Sequence, residues 1–402
     1  MKNLILLFVF TYFAFACTKE DNPEDLSKSG SESYMLMSLS DGSRGSSMGS
    51  GDGGGNGNGN GIEPGQITAA EWNDLDNWAF WIDLINGQEY SEMPDHWSFD
   101  LTNRISVKLS QGSGNPAIDI QIELLDESSS VIWVAKTDNY GNAELWPMLA
   151  HQQQNSGNMK LRIDGQEYGQ LKSLSEGVNE ISLYSDQPSV QKISQLAFMV
   201  DATGSMSDEL EYLKAELVDV IHDVRATNPN ATIVTGSVFY RDEGDAYVTK
   251  NSPFTSNTDQ TIQFIKEQYA DGGGDFPEAV HTALDESLNA LQWSQEATSR
   301  ILFILLDAPP HYESQIVSQI HSQVKQAAEK GIKIIPITAS GIDKETEFLM
   351  RYMSIATNGT YVFITNDSGI GNEHLEASVG EYEVEFLNEL MVRLINKYLI
   401  SD

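Results

Sequence analysis

The sequence predicts an α/β fold: a doubly wound, mainly parallel sheet at the C-terminal end, preceded by an all-β sandwich domain. Three observations carry that expectation. From about residue 191, short apolar runs alternate with apolar stripes of helical period. Between about 105 and 184, apolar residues recur with a period of two in short segments. Upstream, Gly42 to Gly65 is almost wholly Gly, Ser and Asn, which offers nothing to pack and marks the edge of the folded body. The expected divisions are a leader over 1–17, a tether over 18–62, a sandwich over 63–190 and an α/β domain over 191–402.

The leader comes first. Lys2 is followed by a nearly unbroken apolar run from Leu4 to Phe15, the length of a signal-peptide core and short for a bilayer span. Ala14-Phe15-Ala16 then places small residues before Cys17, the only cysteine in the chain. This arrangement resembles a bacterial lipoprotein signal, which implies that Cys17 becomes the lipidated first residue. Thr18-Lys19-Glu20-Asp21 resembles the Lys-acid-acid tag of lipoproteins sent to the outer face of the outer membrane. The resemblance implies an outer-membrane lipoprotein at the cell surface of a Gram-negative bacterium. The alternative is an ordinary secreted or periplasmic protein with one spare thiol.

Composition narrows the function. The 402 residues hold 24 Lys and Arg against 59 Asp and Glu, a net charge of −35. Such a chain repels phosphate backbones, so nucleic acid is excluded as a partner. A lone cysteine allows no disulfide within the chain and no thiolate zinc site. The 7 histidines show no HExxH and no paired spacing.

In the middle region the residues from Gln66 to Phe99 are rich in Trp, Phe and Tyr, which we assign to core packing rather than to sugar binding. Ile105, Val107 and Leu109 alternate, as do Ile118, Ile120, Ile122 and Leu124. Val131–Val134, Ala143–Trp146, Met159–Ile163 and Ile181–Tyr184 supply further strands, with a turn at Asp138–Gly141. Short strands at this spacing predict a sandwich. The run VIWVAKTDNYGNAEL resembles carboxypeptidase-regulatory or transthyretin-like sandwiches, which implies a spacer or binding module.

In the last region strands are expected at Leu196–Val200, Thr232–Tyr240, Ala246–Thr249, Ile301–Leu306, Ile332–Ile337 and Tyr361–Ile364. Three apolar stripes mark helices: Leu210 to Val224, Ile316 to Ala327 and Leu387 to Tyr398. In such sheets ligands sit beyond the carboxyl ends of the strands. Asp201 follows one apolar strand, and Asp307 follows another. Thr203 and Ser205 come at every second residue after Asp201, and Gly204 lets the backbone bend between them. Ser207 and Asp208 are expected to cap the next helix. A further acid, Asp275, stands in the glycine-rich run DGGGDFPE. Asp271 and Glu278 read as solvated or capping charges, and His311 as a turn residue. Carboxylates gathered with hydroxyls, without His or Cys, are hard-oxygen ligands suited to Mg²⁺ or Mn²⁺, with Ca²⁺ as an alternative.

At these residues the sequence resembles a von Willebrand factor A domain with a metal-ion-dependent adhesion site. The carriers are Asp201-Ala202-Thr203-Gly204-Ser205 and the later Asp307, with YRDEGD, GGGDFPEAV and DAPPH resembling the branch found with alpha-kinases. The resemblance implies a Rossmann-like fold. It also implies a metal held by Asp201, Thr203, Ser205 and Asp307, with Asp275 at the place of the family's distant Thr and Asp242 on the rim. The implied function is non-catalytic and metal-dependent: capture of a protein partner whose acidic residue completes the ion's shell, with no small-molecule substrate. The alternatives are an envelope scaffold with a structural ion, or a metal-dependent hydrolase. A phosphoaspartate enzyme needs an acid two residues after its nucleophile, where this chain has Thr203.

Overall fold

The computed structural model describes residues 62–147, 159–184, 186 and 192–399. The expected leader, Cys17 and the tether up to Gly61 lie outside the described residues. The chain enters through β1 (Thr68–Trp72), then α1 (Trp78–Ile85) and the single turn α2 (Met93–His96). Seven strands follow: β2 (Ile105–Ser110), β3 (Gln121–Leu125), β4 (Val131–Lys136), β5 (Asn142–Leu145), β6 (Lys160–Ile163), β7 (Gln166–Tyr168) and β8 (Asn179–Ser182). Among the described residues they form two small sheets, ordered β5-β2-β8 and β4-β3-β6-β7. In β2 the expected inward residues Ile105, Val107 and Leu109 are all buried.

The remainder is strand–helix alternation. It comprises β9 (Ile193–Asp201), α3 (Leu210–Thr227), β10 (Thr232–Tyr240), β11 (Thr249–Thr255), α4 (Thr258–Glu267) and α5 (Val280–Asp285). Then come β12 (Ser299–Leu306), α6 (Ser314–Lys330), β13 (Ile332–Thr338), α7 (Lys344–Ala356), β14 (Tyr361–Ile364), β15 (Glu385–Phe386) and α8 (Leu387–Tyr398). The large sheet runs β11-β10-β9-β12-β13-β14-β1-β15. The five strands from β10 to β14 in that order are parallel, and β11 and β1 pair antiparallel. Central strands of such a sheet are covered on both faces, so they read as unbroken apolar runs rather than alternations. All of β12 is buried, as its sequence SRILFILL foretells. Helices α3, α4 and α8 cover one face, and α5, α6 and α7 the other.

Three features depart from the sequence reading. The strand expected at Ala246–Thr249 starts at Thr249 and runs to Thr255. Ser207 and Asp208 do not cap α3. They lie in a 3₁₀ turn over Gly204–Asp208, and α3 starts after Glu209 without a side-chain cap. The segment expected to open the sandwich instead contributes β1 to the large sheet, between β14 and β15. Its entry is fixed by Glu216 of α3, whose carboxylate accepts the backbone N–H groups of Gly65, Gln66 and Ile67. The sandwich has no separate core: its buried Leu124, Trp133 and Leu161 are continuous with Val324, Phe348 and Leu349 on α6 and α7. Trp72, Trp81, Trp97, Trp133 and Trp146 are buried in that same core.

Candidate metal centre at the carboxyl end of the sheet

Strand order decides where a site can form. From β9 the chain moves to β10 and β11 on one side, then crosses to β12 on the other. The order therefore reverses between β9 and β12, and a crevice opens beyond their carboxyl ends. Val200 pairs with Leu305, so Asp201 and Asp307 emerge side by side at the lip of that crevice.

Asp201 is fully buried and ends β9. Its Oδ1 accepts both the Thr203 N–H at 2.8 Å and the Thr203 hydroxyl at 2.7 Å. This Asx-type turn turns the backbone sharply out of the strand. It leaves Oδ2 of Asp201 buried outside ordinary hydrogen-bond length of any protein donor, with the buried Tyr240 hydroxyl facing the carboxylate. Thr203 Oγ1 and Ser205 Oγ lie 3.0 Å apart. Asp307 is 4% exposed, and its Oδ1 also lacks a partner.

The glycine-rich loop closes the third side. The Asp271 N–H donates to the Ala202 carbonyl, and the Gly204 N–H donates to the Gly272 carbonyl, each at 3.1 Å. Gly272 and Gly273 have φ of +81° and +72°, the left-handed region that favours glycine. Asp245 braces the turn by accepting the N–H groups of Gly273 at 2.9 Å and Asp242 at 3.2 Å. Arg241, a buried cation beside these loops, is already committed to holding them. Its guanidinium donates to the carbonyls of Ala202 and Tyr269 and to Asp271.

Asp275 stands exposed on the rim of the crevice. The carboxylate that this loop turns inward belongs to Glu278, which is 3% exposed with Oε2 unpartnered. The cause is tertiary. The Glu278 N–H donates to the Pro309 carbonyl at 2.9 Å, and Glu278 bridges to Pro310, so its backbone is pinned beside the loop that carries Asp307. Asp242, expected on the rim, is buried, and its Oδ1 lies 2.8 Å from His311 Nε2. His311 is thus the partner of an acid as well as a turn residue.

Electrostatics at the crevice are unfavourable for bare acids. Burial pushes Asp201 up to about 6, against the Thr203 hydrogen bonds that pull it down. Burial and then Asp201 push Asp307 up to about 7. Burial pushes Glu278 up to about 9, with Asp201, Asp242, Asp307 and Asp245 adding to it. Among the described residues no Lys or Arg forms an ion pair with any of the three. A cation is the natural counterweight for such a set. No three His, Cys, Asp or Glu side chains among the described residues already stand together as a metal cage. The donors that fit a cation therefore include hydroxyls: Asp201, Asp307, Thr203 and Ser205, all oxygen and all hard. Of these, Ser205 and Asp307 border a crevice of about 410 Å³, with Gly273, Glu278 and Gly341 along its wall, and Asp201 and Thr203 lie buried behind them.

The profile of the von Willebrand factor A domain matches residues 195–370. That stretch contains β9 from Gln195 onward, β12, the glycine-rich loop and every candidate ligand. Residues 195–370 are a von Willebrand factor A domain. The A domain here has its mixed sheet flanked by helices and follows a strand-rich region. The chain is 36% identical over 124 residues to an ariadne-like RING finger protein, R811, of Acanthamoeba polyphaga mimivirus. That match covers 31% of this chain and 12% of the other. It is 28% identical over 141 residues to the alpha-protein kinase vwkA of Dictyostelium discoideum, covering 35% of this chain and 22% of the kinase. The chain thus spans under a quarter of either relative. Among solved structures, BatB from Bacteroides thetaiotaomicron matches 51% of this chain and 98% of its own, at 14% identity and a TM-score of 0.35. An aerotolerance-related membrane protein from Bacteroides fragilis matches 51% and 99%, at 14% identity and a TM-score of 0.32. Among the described residues no helix is long and apolar enough to cross a membrane.

Proposed function

We propose that the chain is a non-catalytic protein-binding module that works through a divalent cation, Mg²⁺ by preference and Mn²⁺ or Ca²⁺ as alternatives. A domains commonly mediate protein interaction, which supports the binding half of this reading. The observation that carries the metal half is the pair of buried, unpartnered oxygens, Asp201 Oδ2 and Asp307 Oδ1, at the mouth between β9 and β12. Asp201, Asp307, Thr203 and Ser205 would hold the ion. Once bound, the ion supplies a Lewis-acidic point for an oxygen ligand on a partner protein. The chain's own part is positional. The Asx-type turn at Asp201 presents the Thr203 and Ser205 hydroxyls, and the Gly272 and Gly273 bends bring the third loop close. A partner's Asp or Glu side chain is the matching ligand. No residue is assigned to bond breaking. The leader supports display from a bacterial envelope through Cys17. Replacement of Cys17 with Ser should release the protein from the membrane fraction, and unchanged retention would count against the anchor.

The decisive experiment is calorimetric titration of the protein with MnCl₂. Saturable uptake by the wild type that is lost in Asp201→Ala supports the reading. Absence of uptake by the wild type sinks it. A scaffold with a purely structural ion would bind the metal too, but pull-downs from cell surfaces would then recover the same proteins with and without EDTA.

A further inference from the structure

We propose that Glu278 is a resident ligand of the same ion and competes for the position that a partner's acid would take. The inference rests on the proposed metal reading. Glu278 is 3% exposed, its Oε2 has no partner, and among the described residues no cation pairs with it. A buried carboxylate left this way is costly unless a proton or a cation meets it. Its backbone cannot turn it elsewhere, because the bond to the Pro309 carbonyl and the bridge to Pro310 hold it beside Asp307. The opposite wall has been cleared for it. A Cβ placed on Gly273 would lie 3.0 Å from Glu278 Oε1 and 3.4 Å from Thr203 Cβ. The missing side chain of Gly273 is therefore what admits the Glu278 carboxylate to the space over Thr203. Glu278, Ser205 and Asp307 border one crevice. In the conformation described no three acids close on a point, so Glu278 reaches the ion by a turn of its own side chain.

The consequence is chemical. With Asp201, Asp307 and Glu278 all engaged, three negative charges face a divalent ion, and the residual attraction for a further carboxylate is small. A partner's acid then binds by displacing Glu278, not by filling a free position.

The test uses the full chain loaded with Mn²⁺. Affinity is measured by calorimetry, and the number of ion-bound waters by water-proton relaxation, in the wild type, Glu278→Gln, Glu278→Ala and Asp201→Asn. Loss of a ligand is expected to weaken Mn²⁺ binding by about 10- to 100-fold in both Glu278 variants. The variants should also gain one ion-bound water, and acetate should then displace that water at lower concentration than in the wild type. Wild-type affinity and hydration in both variants would overturn the role of Glu278 while leaving the metal reading intact. Failure of the wild type itself to take up Mn²⁺ would overturn both.

Discussion

The carboxyl groups at the mouth of β9 and β12 give the residue scale its sharpest expectation. Asp201 and Asp307 have pKa values raised from the usual carboxylate range near 4 to about 6 and about 7. A group raised in the folded state binds more protons folded than unfolded. Its favourable contribution is complete below pH 4 and is lost as pH climbs through 6 to 7. In EDTA, the melting temperature of the wild type should therefore fall between pH 5 and pH 8 relative to that of Asp307→Asn. Added Mg²⁺ should close the gap. Parallel curves in EDTA would show that Asp307 is not strained by its neighbours. A second expectation concerns Gly273, which combines φ of +72° with a Cβ position 3.0 Å from Glu278 Oε1. Gly273→Ala should cost about 1–2 kcal/mol in urea unfolding, from backbone strain and the close contact together. Much of this scale was legible in the sequence. Asp201, Thr203, Ser205 and Asp307 sit where their strands end, and an apolar run that stops at an acid is a local signal. Glu278 was not legible. Its inward direction comes from backbone pairing with Pro309 and Pro310, more than thirty residues away, and DGGGDFPE offers several acids with equal local claims.

At the scale of elements, the strands buried on both faces and the helices with one apolar stripe were readable. Leu210, Leu213, Leu217, Val220, Ile221 and Val224 of α3 are all buried, as their spacing requires. Helix α7 left no such trace. It is pressed between the large sheet and the aromatic segment that holds Trp81, Tyr90 and Phe99, every residue from Thr346 to Ala356 is buried, and no polar face remains to set a period. Strand β1 was missed for a different reason: TAAEW is short and poor in β-branched residues, and its strand state is imposed by pairing with β14 and β15. The brace on that strand is testable. Glu216 is 1% exposed and accepts three backbone N–H groups at the entrance to β1. Glu216→Ala should cost about 2–3 kcal/mol, since charged acceptors contribute more than neutral ones and the Ile67 N–H would be left buried. Limited proteolysis should then cut near residues 62–68 well before the rest of the body opens. Wild-type protection there would show the brace to be dispensable.

For the whole molecule, the boundary expected at 190 divides the sequence but not the packing. Arg351 on α7 is fully buried and pairs with Asp74, just past β1, and with Glu347. Arg351→Ala strands Asp74 in the interior, while Glu347 keeps Lys344, and should cost about 3–5 kcal/mol in chemical unfolding. A chain starting at residue 191 would lack β1 and uncover the apolar side of α6 and α7. It should bind a hydrophobic dye and aggregate where the chain from residue 62 stays monodisperse. A well-behaved fragment would show that the sandwich is an independent passenger.

The direction of β1 has a mechanical consequence. Because it runs antiparallel to β14, with Ala69 opposite Ile364 and Trp72 opposite Tyr361, the chain enters the sheet at the end where the parallel strands finish. A load drawn through the residues before β1 would therefore fall first on the Glu216 bonds to Gly65, Gln66 and Ile67, and then shear β1 lengthwise against β14 and β15 at once.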